Sequence, residues 1–221
     1  MTAAASTPLA VMRAEGRALR TRVPRSTHGV AVAADRDPIG ILREQNASRI
    51  EELVPLRMQR MLATPFAFFR GTAAIMAADL AVGASTGIDV VTCGDAHLSN
   101  FGLYAGPDRA LVFDLNDFDE SAWAPWEWDV KRLAASVVIG ALDRGWSLEW
   151  AETPTREVVH VYRNALRRFT ALPVLERYYL RGVPKAGGAL DARITELTNR
   201  SARKAMRRTG DHAAQRMTEV G

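Results

Sequence analysis

Cysteine is almost missing from this chain of 221 residues. Cys93 stands alone, which excludes an internal disulfide and any zinc site built on several thiolates. Long apolar runs are missing as well: the hydrophobic stretches are short and broken by charge, too short for a membrane-spanning helix. The opening MTAAASTPLAVMRAEGRALR has no unbroken apolar stretch behind a basic start, as a signal peptide requires. No G-x-G-x-x-G is present, so a simple glycine-rich phosphate loop is excluded. What is abundant is hydrophobicity, 48% of residues, enough for a real core and too much for a disordered chain. These features point to a cytoplasmic protein with no membrane partner, about one domain long.

The net charge of +4 hides a division. Residues 1–36 carry six arginines against two acids, residues 37–155 nine basic and seventeen acidic side chains, and residues 156–221 fourteen basic and six acidic. A basic protein suggests nucleic acid at first sight. However, the residues able to do chemistry lie in the acidic middle, which repels polyanions. The basic terminal helices therefore read as solvated faces, and nucleic acid is not the expected partner.

Residues 1–36 lack a sustained period and read as extended or loosely ordered chain. Asp37-Pro38 opens a helical pattern, with Asp37 as N-cap and Pro38 in the first turn. Apolar residues from Ile39 to Leu62 continue it, with two helices expected to join at Pro55. GTAAIMAADLAVG, residues 71–83, reads as a buried, alanine-rich helix. The period then changes. Ile88 to Cys93 is short, β-branched and bounded by Gly87 and Gly94, as a strand would be. Phe101–Tyr104 and Ala110–Phe113 flank the turn sequence Gly106-Pro107-Asp108-Arg109, which predicts a hairpin. From Trp126 a helical period runs to about residue 208, with breaks near Gly145, Pro173 and Gly187-Gly188. The expected class is α+β, mainly helical, with a small antiparallel element.

Two polar loops flank that hairpin: Gly94-Asp95-Ala96-His97-Leu98-Ser99-Asn100 and Asp114-Leu115-Asn116-Asp117-Phe118-Asp119-Glu120. Antiparallel pairing brings the start of one strand beside the end of the next, so the loops can meet at one end of the sheet. Phosphoryl transfer needs a carboxylate facing the acceptor hydroxyl and oxygen ligands for Mg²⁺ on the phosphates. Asp95 and Asn100 have the five-residue Asp-to-Asn spacing of the kinase catalytic loop.

GDAHLSNFG resembles the HGDxHxxN loop of the aminoglycoside phosphotransferase and choline kinase group, and NDFDE resembles the metal-binding IDFD segment of that group. Pro125 and Trp128-Asp129-Val130 follow in the same order. DPIGILREQNASRIEELVPLRMQRML, TPFAFFRG, CGDAHLSNFG, FDLNDFDE and PWEWDVKRLAAS resemble, over residues 13–170, a bacterial domain-of-unknown-function family, number 2252, regarded as kinase-like. The resemblance implies a protein-kinase-like C-lobe over residues 37–208, with no N-lobe equivalent in the chain. It implies Mg²⁺ and ATP as cofactors, and a nucleotide plus a small-molecule or protein hydroxyl acceptor as partners. Asp95 then stands at the catalytic base and His97 at the histidine that orients the loop. Asn100 and Asp117 stand at the metal ligands, with Asp119 as a possible second carboxylate. The interval from Asn100 also fits Asp114, although the downstream spacing favours Asp117. Arg70 is read either as an anchor for a phosphate or carboxylate or as an ordinary helix-end cation.

In that family a glycine-rich strand and a lysine follow the catalytic loop, and neither is found here before residue 221. The chain therefore reads as a truncated, inactive fragment, with residues 209–221 as a tail at the truncation point. Two other readings stand beside it: a metal-dependent phosphohydrolase using the same cluster, and a non-catalytic kinase-like binding module. Duller roles are also expected for some residues. Asp129 caps the central helix and holds a loop, Cys93 is a buried strand residue, and Trp123, Trp126 and Trp128 are packing.

Overall fold

In the computed structural model, residues 9–30, 35–106 and 111–180 are described. Leu9–Arg22 forms a helix, α1, where the sequence suggested extended chain. Alanine, leucine, methionine and arginine are all good helix formers, and no residue of α1 is buried, so local propensity rather than packing explains it. The next helix, α2, spans Pro38–Ala47 and starts as expected. The Asp37 side chain accepts from the Ile39 amide at 3.0 Å, satisfying one of the donors left open at a helix start.

The break in the following pattern lies at Ser48–Ile50, upstream of the expected Pro55. Pro55 instead sits in the first turn of α3, Val54–Met61, where its missing N–H is not needed. The same device opens α4, Pro65–Arg70, with Thr64 accepting from the Ala67 amide at 3.1 Å. After α5, Ala73–Ala81, a buried cluster forms from Leu42, Met61 and Ile75, with Ile41 and Met58 packed against it. Polar clamps surround this core. Arg57 donates to the Asn46 side chain at 3.0 Å and the Gly71 carbonyl at 3.1 Å. Arg36 pairs with Asp79 of α5, Nη2 to Oδ2 at 2.8 Å.

Four short strands follow: β1, Asp89–Thr92; β2, Phe101–Ala105; β3, Leu111–Leu115; and β4, Ala122–Pro125. They form two antiparallel ribbons, β1 with β4 and β2 with β3. The β2–β3 pair is the expected hairpin, in register Phe101↔Leu115 and Gly102↔Asp114; residues 107–110 of its turn lie outside the described residues. The partner of β1 was not foreseen. Residues AWAP have neither β-branched content nor a charge pattern. Reciprocal hydroxyl bonds hold that ribbon: Thr92 Oγ1 donates to the Ala122 carbonyl at 2.9 Å, and Ser121 Oγ to the Thr92 carbonyl at 2.6 Å.

Helices α6, Glu127–Asp143, α7, Leu148–Ala171, and α8, Val174–Tyr178, follow, with the expected breaks at Gly145 and Pro173. The third, at Gly187-Gly188, lies outside the described residues, as do the expected helical run to 208 and tail at 209–221. The chain divides into two units, residues 1–97 with 118–159 and residues 98–117 with 160–221. The first contains α1 to α6, the β1–β4 ribbon and the start of α7. The second contains the β2–β3 hairpin, the rest of α7 and α8. The protein is thus α+β, mostly helical, with two small antiparallel sheets. No helix among the described residues is long and apolar enough to cross a membrane.

Leu42 is 6% exposed at the centre of the buried cluster. Leu42→Ala is expected to lower stability by roughly 2–4 kcal/mol, as emptied core sites do. The exposed Ile39, changed to alanine, should stay within about 0.5 kcal/mol of wild type. Urea denaturation of both variants checks the contrast.

Candidate functional site

Within the first unit, the loop after β1 is anchored by the first turn of α6. The Asp129 carboxylate accepts from the backbone amides of Cys93, at 2.7 Å, and Gly94, at 3.0 Å. Strand-end amides turned from the ladder need such a partner, and an ionised acceptor gives the stronger bond. The expected loop-holding role of Asp129 is present. The expected capping is not: Trp126 occupies the N-cap position and makes no side-chain cap bond. Glu127, 3% exposed, binds the preceding loop, its Oε1 accepting from the amide and hydroxyl of Thr86 at 2.8 and 2.6 Å. The Trp126 indole donates to the same hydroxyl at 3.0 Å, so this tryptophan has a polar role besides packing. Gly94 has φ +79°, and a Cβ there would collide with the Glu120 carbonyl. Only glycine fits both the left-handed backbone and the close approach.

Asp95 follows, half-buried, in a polar triad with the buried His97 and Arg132. Arg132 Nε donates to Asp95 Oδ1 at 2.7 Å, and His97 Nε2 lies 3.3 Å from Oδ2. Arg132 also donates from Nη2 to the Phe69 carbonyl at 2.8 Å, and its guanidinium stacks 4.3 Å from the Phe69 ring centroid. His97 is 4% exposed, with Phe66 edge-on to its ring. Burial pushes the Asp95 carboxyl upward. The hydrogen bond from His97 and the charge of Arg132 outweigh that effect and leave it below the ordinary 3.8. Asp95 is therefore held as a carboxylate. Arg132 was given no role from sequence. Its one signal was its place three residues after Asp129 on the same helix face. A cavity of about 210 Å³ adjoins this triad, walled by Ala73, Ala77, Leu80, Ala122 and Trp128, with Arg132 at its lining.

In the second unit, the hairpin brings Asn100 to Asp117. Asn100 Nδ2 donates to the Asp117 carbonyl and Oδ1 accepts from the Asp117 amide, both at 3.0 Å. The Asn100 carbonyl also accepts from the Asn116 amide at 2.9 Å. Asn100 is buried, at 4% exposure, whereas Asp117 is exposed. Asp114 lies within β3 opposite Gly102, its Oδ1 accepting from the Leu115 amide at 2.9 Å. Burial and then the Asp114 charge raise the Tyr104 hydroxyl above its ordinary value, and that hydroxyl donates to the Leu115 carbonyl at 2.8 Å.

Of the other residues singled out, Asp119 is exposed, and Arg70 is exposed in the last turn of α4. The arginine that reaches Asp95 is Arg132, not Arg70. Among the described residues no three His, Cys, Asp or Glu side chains are grouped to hold a metal ion. Asn100 Oδ1 is engaged by the Asp117 amide, and the exposed Asp117 carboxylate is the hard oxygen of this pair that suits a hydrated Mg²⁺ ion.

A bacterial family model matches residues 49–221. The chain belongs to the DUF2252 family. That family is described as an uncharacterized protein conserved in bacteria. No curated protein and no solved structure matches the chain. The DUF2252 match begins after α2, yet Leu42 of α2 is buried with Met61 and Ile75 from the matched segment, so the packed body extends beyond it.

Gly94→Ala is expected to prevent normal folding of the β1–α6 junction, seen as loss of the cooperative thermal transition. Asp129→Ala leaves two amides without their acceptor and should lower stability by roughly 2–3 kcal/mol in denaturant titration. Because the Asp95 carboxyl lies low in the folded state, its contribution is complete above the ordinary 3.8 and is lost as pH falls through the folded value. Asp95→Asn should therefore flatten the fall in stability as the pH drops from the ordinary 3.8 towards the lower folded value, as read by urea unfolding at stepped pH.

Proposed function

We propose that the chain carries the catalytic-loop region of a kinase-like phosphotransferase, which moves phosphate from ATP to a hydroxyl-bearing small molecule or protein. The observation that carries this reading is the pairing of Asn100 with Asp117 across the base of the hairpin. It joins an amide to an acidic loop in a chain whose Asp95 stands five residues before that amide. The GDAHLSN and NDFDE segments supply the same residue types in the order that phosphoryl transfer uses.

In this reading Asp95 faces the acceptor hydroxyl as a carboxylate and receives its proton. Its ionisation at neutral pH, maintained by His97 and Arg132, suits that task. His97 orients the loop rather than carrying protons. Asn100 and Asp117 would hold Mg²⁺, which when bound neutralises charge on the phosphates. Asp119 is a possible second carboxylate. Asp114 is less suited, because its carboxylate is turned to the Leu115 amide. Lys131, the one lysine among the described residues, lies on α6. Acceptor deprotonation and metal binding are therefore assigned to this region, and the grip on the triphosphate is not.

One observation favours a second reading, a kinase-like module without catalysis. Asp95 is so firmly paired with Arg132 and His97 that it accepts protons weakly and serves as a structural hub. A thermal-shift titration separates the two. Mg²⁺ at 100 times its Kd should stabilise wild type by about 2.7 kcal/mol, and Asp117→Asn should abolish that gain. A wild type indifferent to Mg²⁺ removes the metal site on which the phosphotransferase reading rests. Phosphate release from p-nitrophenyl phosphate without a nucleotide requirement would replace it with a hydrolase.

A further inference from the structure

Arg132 is 2% exposed, and burying a guanidinium is unfavourable unless its charge and its donors are matched. Here the matching is extensive. Nε donates to Asp95 at 2.7 Å, Nη2 to the Phe69 carbonyl at 2.8 Å, and Nη1 lies 3.6 Å from the Met76 sulfur. The central carbon of the guanidinium lies over the Phe69 ring. The Phe69 carbonyl stands near the end of α4, where it also accepts from the amide and hydroxyl of Thr72 at 3.2 and 3.1 Å. Asp95 is thus approached by a charge from α6, by His97 from its own loop, and, through Arg132, by α4. A planar fork of fixed donors can serve the carboxylate and the carbonyl together, whereas a lysine ammonium is a point charge on a flexible stem.

We propose that Arg132 is a positioning residue: its guanidinium locks the Asp95 carboxylate in one orientation by bonding it and the end of α4 at once. The kinetic part of this inference rests on the phosphotransferase reading; the structural part does not. Movement of Asp95 away from Arg132 would strand a buried cation, so the carboxylate and α4 keep a fixed relation. Misplacement of a reacting group by about 1 Å can lower a rate by roughly 10²-fold, which gives such a lock its value.

The test uses the full chain labelled with ¹³C at aspartate. Asp95 is followed by NMR through an acid titration in wild type, Arg132→Met and Arg132→Lys. The expected result is an Asp95 midpoint below the ordinary 3.8 in wild type, a rise in Arg132→Met, and only partial return in Arg132→Lys. If Arg132→Met does not fold, Arg132→Lys carries the decision, and adding Asp95→Asn to Arg132→Met should recover part of the lost stability, since the stranded carboxylate is gone. An Asp95 midpoint in Arg132→Lys equal to wild type overturns the proposal. Failure of the phosphotransferase reading leaves the NMR result to decide on Arg132 alone.

Discussion

The carboxylate of Asp129 receives two backbone amides from the end of β1, and the loops of the first unit are arranged around that contact. Glu127 holds the loop before β1, Asp129 the loop after it, and Arg132 the first side chain of that loop. All three come from adjacent turns of α6, so one rigid helix fixes the irregular segments on both sides of β1. Glu127 and Arg132 are both nearly inaccessible to water. Charges in that setting are unfavourable when separated from their partners, which gives the junction one well-defined arrangement rather than several similar ones.

The Asp95 loop of the first unit and the Asn100–Asp117 pair of the second are built by different means. The Asp95 loop uses ion pairing, with His97 and Arg132 deciding the protonation state against the effect of burial. The Asn100–Asp117 pair uses neutral amide bonding to the backbone of Asp117, leaving that residue exposed. The first suits a group that must keep its charge.

Local rules made part of the structure legible. Asp37-Pro38 acts over three residues, and Gly145 and Pro173 stop helices by their own backbone preferences. The hairpin was visible because its apolar runs flank a turn sequence. The strand Ala122–Pro125 was not visible, because its pairing depends on hydroxyls of Thr92 and Ser121 rather than on alternation of its own residues. Helix α1 was missed because an apolar period was sought where only propensity operates. Within the site, Asp95, His97, Asn100 and Asp117 stood out by type and spacing. The role of Arg132 depends on partners 37 and 63 residues away, and no local pattern encodes such a distance.

Cys93, the chain's one sulfhydryl, is 6% exposed, and its own amide is held by Asp129. Alkylating reagents in solution therefore reach it chiefly when the segment around it opens, and openings of that kind have their own free energy, distinct from global unfolding. The residue is a native stopwatch for the β1–α6 junction: its labelling rate counts how often that anchor lets go, with no second thiol to confuse the reading.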